Sequence, residues 1–518
     1  MELKRREVLK MLGIGSAAAA MPSVNWAQPQ RRKPNIVFIL ADDMGWSDIG
    51  CYGGEIDTPN IDSLAERGVR FTQMHNTAKC FPSRACLLTG IYAQQSGMSK
   101  GYKGFTKNAA SLGEVFRPAG YRTLAFGKHH SGENLYDRGF DHYWGLRDGA
   151  ANFFNPGLQR PGEPKPAQKR YGQRTFCFDE KVVQPFTPED KDFYSTDAYT
   201  DWAIEHLDKY KDEDKPFLLY LSYQAPHDPL QAWPEDIKKY MGRYKDGYEV
   251  LRQARYKRQK EMGLIDESFP LSEPMHDAWV GLSDGKKRDE ELRMAVYAAM
   301  IDCMDRNIGR VLEKIREMGE EDNTIIMFAS DNGANPVLVE RGDGAIGAMD
   351  RWSSQGGDWA NASNTPFRYF KNFSHEGGTC TPFIVSWPDR IDQRGTINHF
   401  PCHFIDVMAT LTDAAGVEYP EKIDEREITP LAGESLMPVI AGKKTERDNP
   451  LFWQWARGKA VRRGKWKLVS DKKQPWNLYD MEVDKTETRD LAAEHPALVK
   501  DLEALYEKWY AASMADAK

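Results

Sequence analysis

Four stretches of the chain, 35–41, 122–126, 217–222 and 324–329, carry continuous apolar runs rather than alternating ones. Unbroken runs of this length, rich in Ile, Val, Leu and Phe, predict strands of a mostly parallel sheet covered on both faces. A fifth strand is predicted from Phe383 to Trp387. Between the runs lie amphipathic stretches that predict helices: Thr58 to Arg67 ahead of Gly68, Ser195 to Lys211, and Asp289 to Met318 closed by Gly319. Strand and helix in alternation predict a large doubly wound α/β sheet sandwiched by helices. After about Asn449 the texture changes. Phe452 to Trp455, Ala460 to Val469 and Asn477 to Asp480 read as short strands with turns between them, followed by a helix from about Pro496 to Met514. That pattern predicts a small antiparallel subdomain with a packing helix, dividing the chain into 33–445 and 446–518. Two polar intervals, Pro156 to Asp192 and Asp228 to Arg288, predict solvated insertions beside strand ends, where selectivity is often carried.

Each of the four runs ends in charge or imidazole. The first enters Asp42-Asp43, the second Gly127-Lys128-His129-His130, the third Ala225-Pro226-His227-Asp228, and the fourth Asp331-Asn332-Gly333. Open α/β sheets assemble their ligand sites at the carboxyl ends of strands, so four such endings predict one composite site. Asp42, Asp43, Asp331 and Asn332 offer oxygen donors alone, a set suited to Ca²⁺, or to Mg²⁺ as the second choice, rather than zinc. Helix capping by Asp43 and an Asx turn at Asp331-Asn332-Gly333 are the bland alternatives. Neither explains two oxygen-donor pairs at two strand ends.

Length and charge bound the rest. At 518 residues the chain exceeds the ~250–300 at which single cores split. Residues 1–27 read as a signal segment: Lys4-Arg5-Arg6 and Lys10 precede a mild apolar run from Met11 to Met21, the pattern of a twin-arginine export signal. The run is far shorter than the ~20 residues that span a bilayer, so no stable membrane anchor is expected. The expected partner is the twin-arginine export machinery, and the expected location is the periplasm or the outside of the cell. That segment carries four basic residues against two acidic ones, so its removal takes the formal net charge from −7 to −9. An acidic exported protein is a poor nucleic-acid binder, and any anionic substrate must meet a local cluster of cations. Seven cysteines are present, and their pairing does not follow from the sequence.

One eleven-residue stretch narrows the chemistry. Cys80-Phe81-Pro82-Ser83-Arg84-Ala85-Cys86-Leu87-Leu88-Thr89-Gly90 closely resembles the signature of type I sulfatases, bacterial arylsulfatase-like members of the alkaline phosphatase superfamily. Pro82 suits the first turn of a helix, which would set Cys80 near a positive helix end. The resemblance implies that a formylglycine-generating maturation enzyme oxidises Cys80 to an aldehyde. One hydroxyl of its hydrate attacks the sulfur of a sulfate ester and expels the alcohol, and the other collapses to release sulfate. It further implies that Asp42, Asp43, Asp331 and Asn332 hold Ca²⁺ with the modified Cys80, and that Asp331 accepts a proton from the attacking group. By the same resemblance Arg84 leans over the nucleophile, Lys128 contacts the sulfate, His130 orients the nucleophile, and His227 and Lys371 face the departing oxygen. Lys371 lies in a segment running to Glu376-Gly377-Gly378 that is similar to one in bacterial arylsulfatases. His129 and Thr379-Cys380-Thr381 depart from the family pattern and bear on substrate fit.

The function expected is hydrolysis of sulfate monoesters, with a sulfated sugar as natural substrate and aryl sulfate as surrogate. A phosphonate or phosphate ester hydrolase of the same superfamily is the enzymatic alternative. A noncatalytic binder of sulfated glycans is the other, should Cys80 remain a thiol.

Overall fold

The four apolar runs form adjacent strands. In a computed structural model, which describes residues 32–169, 173–275, 277–471 and 474–516, strand Asn35–Asp42 lies at the centre of an eleven-stranded sheet. It pairs in parallel with Phe217–Pro226 on one side and Thr324–Ser330 on the other. Every residue of these three strands is buried. Alternation then sorts their side chains: Ile36, Phe38 and Leu40 enter one core, Val37, Ile39 and Ala41 the other. A strand buried on both faces has no polar side to show, which is why its sequence does not alternate.

The sheet runs in the order 396–398, 69–75, 380–386, 324–330, 35–42, 217–226, 122–127, 142–146, 176–178 and 181–183, with 402–403 pairing to 69–75. Cys380–Ser386 is antiparallel to both its neighbours, as is the terminal hairpin of 176–178 and 181–183. The fold is therefore a large, mostly parallel sheet between helices. Helix Asp284–Glu317 begins five residues before the expected Asp289, because the Ser283 hydroxyl accepts a hydrogen bond from the Lys286 amide at 3.3 Å.

Neither polar interval is a plain solvated insertion. Residues 176–178 and 181–183 extend the sheet, and Phe176 and Cys177 are buried. Residues 234–240 and 247–261 are helical, and the second helix turns Tyr248, Arg252, Arg255 and Gln259 inward. Burial there is achieved with ion pairs rather than apolar surface. Arg255 donates to both Glu55 oxygens at 2.8 and 2.9 Å and to Asp48 Oδ1 at 2.7 Å.

The carboxy-terminal strands 451–455, 458–463, 466–470 and 477–480 make an antiparallel sheet, on which helix Pro496–Asp516 lies with Trp509 stacked on Phe452. The described residues from Pro34 onward form one compact unit. All seven cysteines are buried and unpaired. Among the described residues no helix is long and apolar enough to cross a membrane. The signal segment expected at 1–27 lies outside the described residues.

Candidate active site

Four strand ends and one helix start converge. Asp42 closes its strand, and Asp43 follows in the left-handed region at φ 63°, its amide donating to Asp331 Oδ1 at 3.2 Å. Asp331 and Asn332 follow Thr324–Ser330, Lys128 and His130 follow Arg122–Gly127, and His227 with Asp228 follows Phe217–Pro226. Lys371 arrives from the loop ahead of the short helix Glu376–Thr379. All seven expected catalytic residues and all expected metal ligands lie in this one region.

Cys80 is the first residue of helix Cys80–Thr89, all ten residues of which are buried. The turn before it is held by its own polar atoms. Ala78, at φ 58°, donates its amide to Asn76 Oδ1 at 2.8 Å, and the Thr77 amide donates to Ser83 Oγ at 3.0 Å. Pro82 lies in the first turn, where its missing N–H leaves no bond unmade. The Cys80 sulfur therefore sits at the positive end of a helix, within 4.8 Å of oxygens of Asp42 and Asp331. Burial pushes the Cys80 thiol up, yet Lys371, Lys128 and Lys79 outweigh it and bring it down to about 6.

Three buried carboxylates face three buried cations. Lys128 bonds Asp42 and Lys371 bonds Asp43. Arg84 donates through Nε to Asp331 Oδ2 at 2.8 Å and through Nη1 to the Lys128 carbonyl at 2.8 Å and to Ser222 Oγ, while Nη2 lies 3.8 Å from Asp42 Oδ1. Buried charges at this density persist only when paired. Burial and the neighbouring Asp331 raise the Asp42 carboxyl well above the usual range. Asp43 moves the other way, because His227 and Lys371 overcome the effect of burial. For Lys371 the Asp43 carboxylate overcomes burial and raises the ammonium, so it stays protonated.

The donors fit a hard cation. Asp42 Oδ1, Asp43 Oδ2 and Asn332 Oδ1 are buried oxygens with no hydrogen-bond partner, with the His227 imidazole and the Cys80 sulfur beside them. Fully buried oxygens are seldom left unpartnered unless something else claims them, and the oxygens of three carboxylates and one side-chain amide suit Ca²⁺ or Mg²⁺.

The outer members are oriented by neighbours. His227 holds its Nδ1 against Asp228, 2.6 Å from the carbonyl and 2.7 Å from Oδ1, so that Nε2 faces Asp43 Oδ2 at 3.3 Å. Asp228 is fixed in turn by Trp352 Nε1 at 2.9 Å, Ser354 Oγ at 2.9 Å and Lys169 at 3.0 Å. His130 stands at φ 60° against the rings of Phe81 and Tyr102. Burial, together with Lys128 and Arg84, holds it well below the ordinary imidazole range. His129 points away between Phe105 and Tyr143, neutral through burial and the charge of Arg84, at about 3.

Several participants have a part here that the sequence does not assign. Ser222 is one polar residue at the end of an apolar run, Asp228 stands in the charged ending of the third run with no role of its own, and Lys79 only precedes the Cys80 stretch. Tyr102 and Trp455 reach the rim from distant segments, Trp455 donating to Asn372 Oδ1 at 3.1 Å with its ring edge-on to Phe81.

Comparison with known proteins gives this constellation a family. A model described as Sulfatase matches residues 34–417, and one described as N-sulphoglucosamine sulphohydrolase, C-terminal, matches residues 366–509. An arylsulfatase of Klebsiella aerogenes is 34% identical over 449 residues, spanning 81% of this chain and 94% of its own. An uncharacterized sulfatase of Schizosaccharomyces pombe is 33% identical over 92% of this chain and 93% of its own. Among solved structures, Ps i-CgsB in complex with k-i-k-neocarrahexaose superposes with a TM-score of 0.67 at 26% identity, covering 92% of this chain and 93% of that one. The chain belongs to the sulfatase family and is a hydrolase of sulfate esters.

Proposed function

We propose that the protein removes sulfate from sulfated carbohydrates, with Cys80 oxidised to formylglycine as the nucleophile and Ca²⁺ held by Asp42, Asp43, Asp331, Asn332 and the modified Cys80. The observation that carries this reading is the placement of Cys80 at a buried helix start, within 4.8 Å of Asp42 and Asp331 oxygens. Formylglycine at that position supplies a hydrated aldehyde whose hydroxyl displaces the alcohol. Ca²⁺ supplies charge neutralisation for a sulfate oxygen.

The chain's own residues do the rest. Arg84, locked by three acceptors, presents a fixed guanidinium beside the nucleophile. Lys128 brings a cationic donor to the sulfate and Lys371 one to the departing oxygen, and one preorganised donor of this kind is worth ~10²–10³ in rate. Asp331, already an acceptor for Arg84 and the Asp43 amide, receives the proton of the attacking hydroxyl. His130 orients the nucleophile as a neutral imidazole. With Nδ1 tied to Asp228, His227 has Nε2 as the atom that exchanges a proton with the departing alcohol, beside Lys371.

The carbohydrate assignment draws on the oligosaccharide bound to Ps i-CgsB and on Tyr102 and Trp455 at the rim, which offer rings to a sugar face. Residues 33–445 carry the chemistry in this reading, while 446–518 supply part of the rim. A formylglycine-generating enzyme and the twin-arginine exporter are the partners proposed, with the periplasm or the exterior as the place of action.

Mass spectrometry of the peptide containing Cys80, from protein with measured turnover, tests the nucleophile. The expected result is an aldehyde in place of the thiol, with Cys80→Ala inactive and folded. An unmodified thiol in fully active protein overturns it, and faster hydrolysis of phosphonate esters than of any sulfated sugar or aryl sulfate overturns the substrate class.

A further inference from the structure

Away from the strand ends, the carboxy-terminal sheet and the edge of the large sheet enclose a cavity of about 430 Å³. Its wall includes Gln73 from strand Val69–His75, His399, Arg447, Arg462 from strand Gly458–Arg463, and Lys485. That volume falls within the ~300–1,000 Å³ of small-ligand sites.

Its cations are not equally served. Arg447 forks onto the two oxygens of Asp406 at 2.7 and 2.8 Å, and Lys465 at the mouth bonds Asp480 at 2.7 Å. Arg462 and Lys485 have no such counterion. Arg462 is 7% exposed, and its guanidinium donates only to neutral oxygens, Gln73 Oε1 at 2.7 Å and the Gly464 carbonyl at 3.1 Å. Lys485 lies 5.2 Å from the centre of the Phe269 ring and, among the described residues, makes no hydrogen bond or ion pair, Glu376 and Asp266 acting on it only from a distance. The two carboxylates in the lining, Glu446 and Glu482, are exposed and pair with neither cation. Burial and the charge of Arg462 bring the Lys485 ammonium down to about 8, and burial lowers Arg462 too.

Two half-sequestered cations converge on one cavity with no ion-pair partner of their own, and the one buried carboxylate that acts on both, Glu376, is already bonded to Lys467 and His75, so the pair forms a receptor for negative charge. Arg462 is aimed by Gln73, whose own amide donates to the His399 carbonyl, so the guanidinium is preset rather than free to swing away. We propose that this cavity binds a tetrahedral oxyanion, a sulfate or phosphate group either free or carried on a saccharide, between Arg462 and Lys485. The site is separate from the strand-end constellation, and the proposal does not depend on how Cys80 is processed.

The test is a soak of crystals of the Cys80→Ala chain in selenate, read by anomalous scattering, beside identical soaks of Lys485→Gln and Lys485→Arg in the same background. The expected result is selenate against Arg462 and Lys485, retained in Lys485→Arg and lost in Lys485→Gln. A parallel soak with a monosulfated sugar distinguishes a free oxyanion from one borne on a saccharide. In solution, sulfate at constant ionic strength should raise the melting temperature of the parent more than that of Lys485→Gln, with an affinity difference of at least tenfold and equal melting in chloride. The kcat/KM of matured Lys485→Gln on an aryl sulfate should be unchanged, since Lys485 touches nothing at the strand ends. An empty cavity in crystals whose strand-end site holds selenate overturns the proposal. So does selenate that stays in Lys485→Gln, which marks an adventitious ion only.

Discussion

Arg84 concentrates the residue-scale argument. One planar group reaches a carboxylate, a backbone carbonyl and a hydroxyl at once, with a second carboxylate near its remaining nitrogen. An ammonium has the charge without the fork. Arg84→Lys should therefore leave buried acceptors unmade, lowering turnover by about 10²-fold or more and stability by ~1–3 kcal/mol. Steady-state kinetics on matured enzyme and thermal melts check the two parts separately, and wild-type turnover in the lysine variant would show that only charge matters. The composite site was legible from Asp42, Asp43, Lys128, His130, His227 and Asp331 because each follows a run of buried apolar residues. What orients them was not. Ser222 anchors Arg84 from a distant strand, and Asp228, though it adjoins His227 in sequence, is itself held by Trp352, Ser354 and Lys169, partners that only tertiary approach supplies.

At the scale of elements, hydropathy read the sheet well and the insertions poorly, for one reason. Strands Asn35–Asp42, Phe217–Pro226 and Thr324–Ser330 bury hydrocarbon, and hydrocarbon is visible in the sequence. Helix Gly247–Glu261 instead turns Arg252, Arg255 and Gln259 inward, and charged letters at helical spacing look like a solvated face. Arg255 is fully buried and bridges Asp48 to Glu55, tying the helix to the segment after the first strand. Its removal would strand the buried Asp48, whose carboxyl burial already raises despite Arg255. Arg255→Met should cost about 3–5 kcal/mol, the penalty for breaking a buried pair from one side. Denaturant unfolding measures this, and a loss below 1 kcal/mol would mean that water reaches Asp48 in the wild type.

The whole molecule is joined by a buried polar chain that no single segment announces. His75 meets Glu376 at 2.9 Å, Lys467 bonds Glu376 at 2.6 Å and Glu487 at 2.8 Å, and Glu487 accepts from the Glu376 amide at 2.7 Å. The chain thus links the strand that leads to Cys80, the segment that carries Lys371 and the carboxy-terminal sheet. Two carboxylates share one lysine, so their proton affinities separate. Burial acts on both, but His75 and Lys467 pull Glu376 well below the usual range. Burial prevails at Glu487, only partly offset by Lys467, and raises it to about 7. Folded protein then keeps a proton on Glu487 that the unfolded chain releases near its ordinary value of 4.5. Between those limits the folded state binds more protons, so this group's stabilisation is full below about 4.5 and is lost as pH rises to about 7, by up to about 3 kcal/mol. Glu487→Gln carries a permanent neutral mimic and should escape that loss. The difference in melting temperature between Glu487→Gln and wild type should grow in the variant's favour from pH 5 to pH 7 and then level off. A difference that is flat, or that shrinks over that range, would show that Glu487 is ionised in the fold and that Lys467 serves both carboxylates equally.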